Sequence, residues 1–516
     1  MDILYRSSAG PAYRELPEES VKDIALGELI DHMSGIAEEK AVLKEIMVKI
    51  PTETEDMIYR QDILKDLMGN DKLAEEIKDS ISSIKVLQYY GGGAKRIRDR
   101  DDSLASLLET LREIKVFVEV VEKLYKALSE NEIRSPGLNA LREELKKTAE
   151  DENFRAVKPD IEKIHDDLSV VKGAIVGVSL TPDMDIESVS ALEFVNFKPR
   201  SKYSIIDMAI DGKINTPGKR YKHIDPLIVA MTPHMKKHLW KHTGEIKALI
   251  KKHSGYDHKL LTGLYNALVF YLAARDLGKR LERDGYEISF PEINDGPLSM
   301  KELYNIRLAL KGEKEIVKND LVFEDKEKIF ILTGPNRGGK TILEQALGLI
   351  SVMASLGMFV TAGSCTGRPF GTILTHFPID ENLTINYGRL GEEAIRIKSI
   401  VSRADKDSLI LFNETFSTTS AADALYLSKD LLRILKEKGS AVIFNTHIHE
   451  LANSIDEMNG WEGTSAIVSI AMEIKDNNNT FRIRRGAPDA SSYARNIAEK
   501  YGITYEQMKK ADKKGL

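Results

Sequence analysis

The sequence holds one cysteine, Cys365, among 516 residues. No intrachain disulfide can form, and a zinc site built on cysteines has nothing to build on. Such usage fits a reducing compartment, and a cytoplasmic location is the expectation. An excess of either charge is also lacking: 74 Lys and Arg face 80 Asp and Glu, a net charge of -6. That excludes a uniformly basic protein but not a local basic face. Met1-Asp2-Ile3-Leu4-Tyr5-Arg6 has no basic region followed by an apolar one, so no signal peptide is read there. One long run lacks charge, 346–363, and Gly348, Gly357 and Gly363 interrupt it. The spacing predicts a buried helix ending near Gly357 and then a short strand, not a membrane span. Repeats and low-complexity segments are absent. What is present is 42% hydrophobic and 30% charged residues, the balance of a soluble globular protein. The length suggests about three or four domains.

The chain falls into unlike parts. Residues 1–150 carry helical periodicity almost throughout. Val21, Ile24, Ala25 and Leu29 share one face, and Met57, Ile58, Ile63, Leu64 and Leu67 are the apolar positions of a similar pattern over 54–68. A long amphipathic stretch covers 103–128, and Gly91-Gly92-Gly93 and Ser135-Pro136-Gly137 mark breaks. Residues 170–180 and 188–197 are β-branched and read as short strands. Helical period returns over 226–284, most clearly at 260–281. The last third alternates apolar strands (329–333, 409–412, 441–444) with helical patterns, which predicts a parallel sheet in an α/β domain.

The strongest motif is Gly334-Pro335-Asn336-Arg337-Gly338-Gly339-Lys340-Thr341, a G-x-x-x-x-G-K-[ST] loop between a strand and a helix. Its glycines let backbone N–H groups turn toward phosphate oxygens, and the helix N-terminus adds partial positive charge. Lys340 reaches the terminal phosphates, and Thr341 offers a hydroxyl to Mg2+. An apolar strand then ends in Asn413-Glu414. Glu414 is the natural water-activating base. An acid is expected just before it; Asn413 can hold a magnesium-bound water but brings no charge. The hydroxyl cluster Ser417, Thr418, Thr419 and Ser420 opens a helix, where in isolation it reads as an N-cap. His447 ends another strand, in Asn445-Thr446-His447-Ile448-His449-Glu450-Leu451, and can sense a γ-phosphate. A helical zinc site needs i,i+4 spacing, which His447, His449 and Glu450 lack.

These motifs, in this order, resemble the ATPase domain of the MutS mismatch-repair family. Ser491-Ser492-Tyr493-Ala494, Ile497-Ala498 and Gly502-Ile503 are similar to its C-terminal segment, and Leu303-Tyr304-Asn305-Ile306 to its core and lever regions. The resemblance is specific over 300–516 and weaker over 20–300. It implies a multidomain protein, with an all-α core and lever region carrying a small β-containing clamp insertion, followed by an α/β P-loop ATPase domain of the ABC type. On that reading 1–150 is core and first lever, 151–225 the clamp, 226–300 the returning lever and 301–516 the ATPase. The resemblance also implies roles. Lys340 and Thr341 are the nucleotide-loop lysine and magnesium ligand, and Asn336 lies near the γ-phosphate. Glu414 is the catalytic acid, and His447 senses the γ-phosphate. Ser417, Thr418, Thr419 and Ser420 reach across a homodimer to the partner's ATP. Ile316 or Val317 falls where many members stack an aromatic on adenine, so that contact is altered. The end at Leu516 would curtail the usual helix-turn-helix dimer element. A Phe-x-Glu wedge near the N-terminus, room for a mismatch-recognition domain and its connector, and a following nuclease domain are all absent. The expectation is a reduced member of the family.

Between Ser201 and His253 eleven Lys or Arg face four acids, with Tyr203, Tyr221 and Trp240 interleaved. Phosphate binding needs such charge density and no fixed sequence; a solvated helix face is the bland alternative. The leading expectation is a dimeric ATPase, using ATP and Mg2+, whose cycle opens and closes a clamp on double-stranded or branched DNA. The alternative is an ATP-dependent protein that remodels a protein or ribonucleoprotein partner. A transporter ATPase is disfavoured, because the helical half comes first and the serine motif is of the MutS kind. No membrane partner is expected.

Overall fold

The computed structural model describes residues 3–6, 12–90, 104–168, 173–183, 186–195, 244–253, 259–378, 389–475, 478–486 and 501–512. They group into two compact units, one formed chiefly by 72–133 and 138–265, the other by 2–71, 134–137 and 266–516.

The chain begins with β1 (Tyr13–Glu15), α1 (Glu18–Asp23), α2 (Leu26–Met33), α3 (Ala37–Met47), β2 (Lys49–Pro51) and α4 (Thr54–Gly69). The periodicity around 21–30 belongs to two helices, not one. Ala25 adopts a left-handed backbone, φ 58°, which ends α1 and restarts the chain as α2. In α4 Met57, Ile63, Leu64 and Leu67 are buried as the spacing predicts, while Ile58 is exposed.

The first unit holds most of α5 (Asp71–Tyr90), α6 (Leu104–Glu130), most of α7 (Pro136–Glu150), and α8 (Glu152–Leu168). Pro136 opens α7, the one helical position whose missing N–H costs nothing. Phe117 of α6 meets Phe154 of α8 edge-on at 6.2 Å, among buried Val121, Leu124 and Val157. β3 (Gly173–Leu180) and β4 (Ile186–Val195) form an antiparallel hairpin, where two short strands are read in the sequence. Most of the basic stretch, including Lys219, Arg220, Lys222, Lys236, Lys237 and Lys241, lies outside the described residues. The long helix α9 (Lys259–Arg283) covers the clearest periodicity after it.

The second unit carries a six-stranded sheet. Its strands are β8 (Glu327–Thr333), β10 (Thr372–His376), β11 (Ser408–Asn413), β12 (Ala441–Asn445), β13 (Ala466–Lys475) and β14 (Asn478–Arg485). The order is β10-β11-β12-β8-β13-β14, parallel except for β14. Residues of β10, β11 and β12 are buried along their whole length. Strands covered on both faces need continuous apolar runs, which is why these are legible. A four-stranded sheet adds β5 (Glu292–Ile293), β9 (Ser364–Gly367), β6 (Leu298–Leu303) and β7 (Asn319–Phe323), in the order β5-β9-β6-β7. The helices around them are α10 (Ile306–Leu310), α11 (Lys340–Ser355), α12 (Arg389–Arg403), α13 (Ala421–Lys438), α14 (His449–Asn453) and α15 (Ile455–Asn459). α16 (Tyr505–Asp512) follows near the C-terminus.

α11 accounts for the charge-free run. Leu347, Leu349, Val352, Met353 and Ala354 are fully buried. Gly348 packs so closely on Ile24 that a Cβ there would lie 2.5 Å from Ile24 Cγ2. Gly357, at φ 72°, turns the chain away. The next strand, β9, starts only at Ser364. Among the described residues no helix is long and apolar enough to cross a membrane.

Candidate functional site

β8 delivers the chain to the phosphate loop and α11 receives it. Gly334 (φ 143°) and Gly339 (φ 94°) make the turn, and added Cβ atoms there would meet Met472 at 2.7 Å and Phe481 at 3.2 Å. Arg337 takes the left-handed region without being glycine, φ 61°, and the Asn479 amide donates to its carbonyl at 3.3 Å. Among the described residues no side chain caps α11, so its first N–H groups face the loop, where a phosphate would bind. Lys340 is buried, and its Nζ donates to the carbonyls of Gly334 (3.0 Å) and Pro335 (3.1 Å). Burial lowers the Lys340 pKa, and the negative charges of Glu414 and Glu344 oppose that shift.

A cleft opens over this loop. Asn336, Arg337, Gly338, Gly339, Lys340 and Thr341 line it together with Glu414, and Leu308, Ile316, Val317, Asn319 and Phe481 complete the lining. Thus the structure brings Ile316 together with the loop. Phe481 has no signal in the sequence. Its ring comes from β14, held in left-handed backbone at φ 59°. Asn319 fixes that turn: its amide donates to the Phe481 carbonyl at 3.1 Å, and its Oδ1 accepts from the Ile483 N–H at 2.8 Å.

Asn413 and Asn445 end neighbouring parallel strands in register. Asn413 Nδ2 lies 3.3 Å from Thr341 Oγ1, so strand end and loop hydroxyl meet. Glu414 follows at φ 52°, and its N–H donates to the Asn445 carbonyl at 3.0 Å. A carboxylate in this sparsely allowed backbone marks a position the surroundings enforce. His447 Nε2 lies 2.9 Å from Glu414 Oε1, and both side chains remain partly open to solvent. His449 and Glu450 begin α14, and no described cluster of three His, Cys, Asp or Glu side chains could hold a metal. The Thr341 hydroxyl beside Asn413, in a cleft built for phosphate, suits magnesium carried in with a nucleotide.

The serine-threonine segment splits in two. Ser420 is a helix cap, its Oγ accepting from Asp423 N–H at 3.2 Å. Thr418 donates to Glu393 Oε2 at 3.3 Å, and Ser417 and Thr418 are exposed. Among the described residues, none from 417 to 420 lines the cleft of its own chain. The C-terminal motif at 491–498 lies outside the described residues.

Residues 330–515 match the family model of MutS domain V, and 52–188 match that of the MutS2 N-terminal domain. The chain is similar to the DNA mismatch repair protein MutS of Streptococcus pyogenes serotype M5 (strain Manfredo), 30% identical over 228 residues. The same holds for MutS of Streptococcus pyogenes serotype M49 (strain NZ131). In both cases the match covers 43% of this chain and 26% of the relative.

Proposed function

The chain belongs to the MutS family, and on that premise we propose that it hydrolyses ATP in the cleft above the 334–341 loop and couples this to holding DNA. The observation that carries the reading is the meeting of Lys340 and Thr341 on the loop with Asn413 and Glu414 at the end of β11. Lys340 exchanges its two loop carbonyls for phosphate oxygens. The free N–H groups of α11 hold the same phosphates. Thr341, with Asn413 beside it, is where magnesium would sit, and that ion would offset charge on the phosphate oxygens. Glu414 takes the proton of the attacking water. His447, now paired to Glu414, is placed to exchange that partner for the γ-phosphate.

Ser417 and Thr418 are exposed and do not line the cleft of their own chain, which supports a site completed by a second copy of the chain. The ligand outside the ATPase would be double-stranded or branched DNA, contacted through the basic stretch.

Paired variants test the core of the proposal. Lys340→Ala should lose nucleotide binding. Glu414→Ala should bind ATP normally and lose turnover by roughly 10²–10⁴-fold, because a general base acts only in the chemical step. Equal loss of ATP affinity in both variants would count against these roles.

A further inference from the structure

Three hydrogen-bonding side chains lie in a row behind the loop. Thr341 Oγ1 is 3.3 Å from Asn413 Nδ2 and 3.5 Å from Asn413 Oδ1, and that Oδ1 is 2.6 Å from Asn445 Nδ2. The row does not stop there. Asn445 Nδ2 also lies 3.0 Å from Oε2 of Glu344, on the second turn of α11. Glu344 and Asn445 are fully buried. Their other oxygens, Glu344 Oε1 and Asn445 Oδ1, have no hydrogen-bond partner among the described residues.

Stability does not explain Glu344. It is surrounded along α11 by buried Leu343, Ala346 and Leu347, and among the described residues no cation forms an ion pair with it. A buried carboxyl with one oxygen unpaired destabilises the fold, and an apolar side chain of similar volume would pack there at less cost. Burial pushes its pKa far above the ordinary carboxylate range, with the Asn445 hydrogen bond and Lys340 opposing. A polar group held at such cost beside a nucleotide loop calls for another reason.

We infer that Glu344 is a positioning residue that, through Asn445, fixes which end of the Asn413 amide faces Thr341. This rests on the ATP and magnesium reading of the cleft. Asparagine has two unlike ends, a donor and an acceptor. At the end of β11 either could turn toward the Thr341 hydroxyl. Asn445 Nδ2 carries two protons, and Glu344 and Asn413 Oδ1 each take one. With its oxygen drawn to Asn445 at 2.6 Å, Asn413 sets its nitrogen nearer the Thr341 hydroxyl, at 3.3 Å, than its oxygen, at 3.5 Å. The Thr341 oxygen then accepts one hydrogen bond from a fixed direction and keeps a lone pair for a cation. A carboxylate at 413 would not need this device, because its two oxygens are alike. The buried acid on α11 is thus the counterpart of the missing acid on β11.

The readout is the affinity for a non-hydrolysable ATP analogue, measured by calorimetry with Mg2+ and again with EDTA. The ratio of the two affinities isolates the metal's share. Glu344→Met removes the acceptor at similar volume and should lower that ratio by roughly tenfold, the lower range for losing an outer partner of a metal ligand. Metal-free affinity should stay within about twofold on the same ground. Glu344→Gln keeps an oxygen that can accept from Asn445 and should keep the wild-type ratio. In an Asn413→Asp background Glu344→Met should leave the ratio unchanged. Should Glu344→Met fail to fold, Asn445→Ala breaks the same relay from the strand side and should give the same loss.

An unchanged ratio in a folded Glu344→Met or Asn445→Ala protein would overturn the inference. An equal fall with and without Asp at 413, or a fall confined to metal-free affinity, would overturn it too. If the wild-type protein binds the analogue equally with Mg2+ and EDTA, the magnesium reading itself fails, and that result is separate from the others.

Discussion

Phe481 holds a backbone conformation that disfavours any side chain, at φ 59°, and places its ring over Gly339. Left-handed backbone costs a non-glycine residue about 1–2 kcal/mol, so the Asn319 clamp on either side of it has a purpose. The ring lines the same cleft as Ile316 and Val317. If the ring meets the nucleobase, it supplies the aromatic contact that Ile316 cannot. Phe481→Ala should weaken ATP binding by about 1–3 kcal/mol, the usual range for one base on one aromatic ring. Affinity for tripolyphosphate, which has no base, should not change. If both ligands weaken equally, the ring supports the loop and not the base. The contrast with the loop itself is instructive. Gly334 to Thr341 are legible because their chemistry depends on neighbours in the chain. Phe481 reaches the site from about 140 residues downstream through one strained turn, and no local pattern announces such a turn. Glu344 is hidden for a similar reason: in sequence it is one polar residue in an apolar helix.

At the scale of elements, β10 and α12 hold the loop that follows β11. His376, at the end of β10, is buried, and its Nδ1 lies 3.1 Å from Thr415 Oγ1. Glu393 of α12 accepts the Phe416 N–H at 2.7 Å and the Thr418 hydroxyl at 3.3 Å. The loop needs this support, since Glu414 and Phe416 both take left-handed backbone, at φ 52° and 64°. Burial first, and then the Arg396 charge, push the His376 pKa down to about 4. The folded state therefore holds the neutral ring, and the unfolded chain takes a proton more readily. Stability is full above the ordinary histidine pKa and falls as pH drops through 6.5 toward 4. Between pH 7.5 and pH 5 this one group should account for about 2 kcal/mol. Burial raises the Glu393 pKa, and its contribution runs the opposite way, so only a comparison isolates the histidine. Urea unfolding of wild type and His376→Gln at both pH values provides it: the variant should lose that share of the pH dependence. Identical pH slopes would show that His376 does not carry it. The strands β8, β11 and β12 are evident from sequence, since their apolar runs need no partner to be recognised. That β10 and α12 brace the serine-threonine segment is not evident, because pairing across the sheet leaves no periodic trace. The antiparallel edge β14 escapes notice for the same reason.

At the scale of the whole molecule, the first helices belong with the ATPase elements. Arg14 Nη1 donates to Asp405 Oδ2 at 2.6 Å, the Gln345 amide donates to the Asp23 carbonyl at 3.0 Å, and Arg307 forks onto Glu28 at 2.7 Å through two nitrogens. Helical period in 1–71 shows that helices form there but not which face of the molecule receives them. The other unit holds the β3–β4 hairpin and the end of the basic stretch. Lys251 and Lys252 are exposed on a helix, with Lys252 Nζ 2.7 Å from Asp160. An acid already answers Lys252; Lys219, Arg220 and Lys222 carry the densest positive charge of the stretch in the sequence and are the residues to vary. Lysine and arginine side chains on phosphates release counterions, so affinity for DNA should fall steeply with salt and depend little on sequence. Reversing the charge of those three residues should weaken matched, mismatched and branched duplexes by similar factors. It should also flatten the salt slope by about one unit for each phosphate no longer neutralised. Binding by the triple variant that matches wild type at every salt concentration would mean the basic residues only solvate their segment. A strong preference of the wild-type protein for mismatched over matched duplex would show instead that it reads bases, which binding through the sugar-phosphate backbone cannot do.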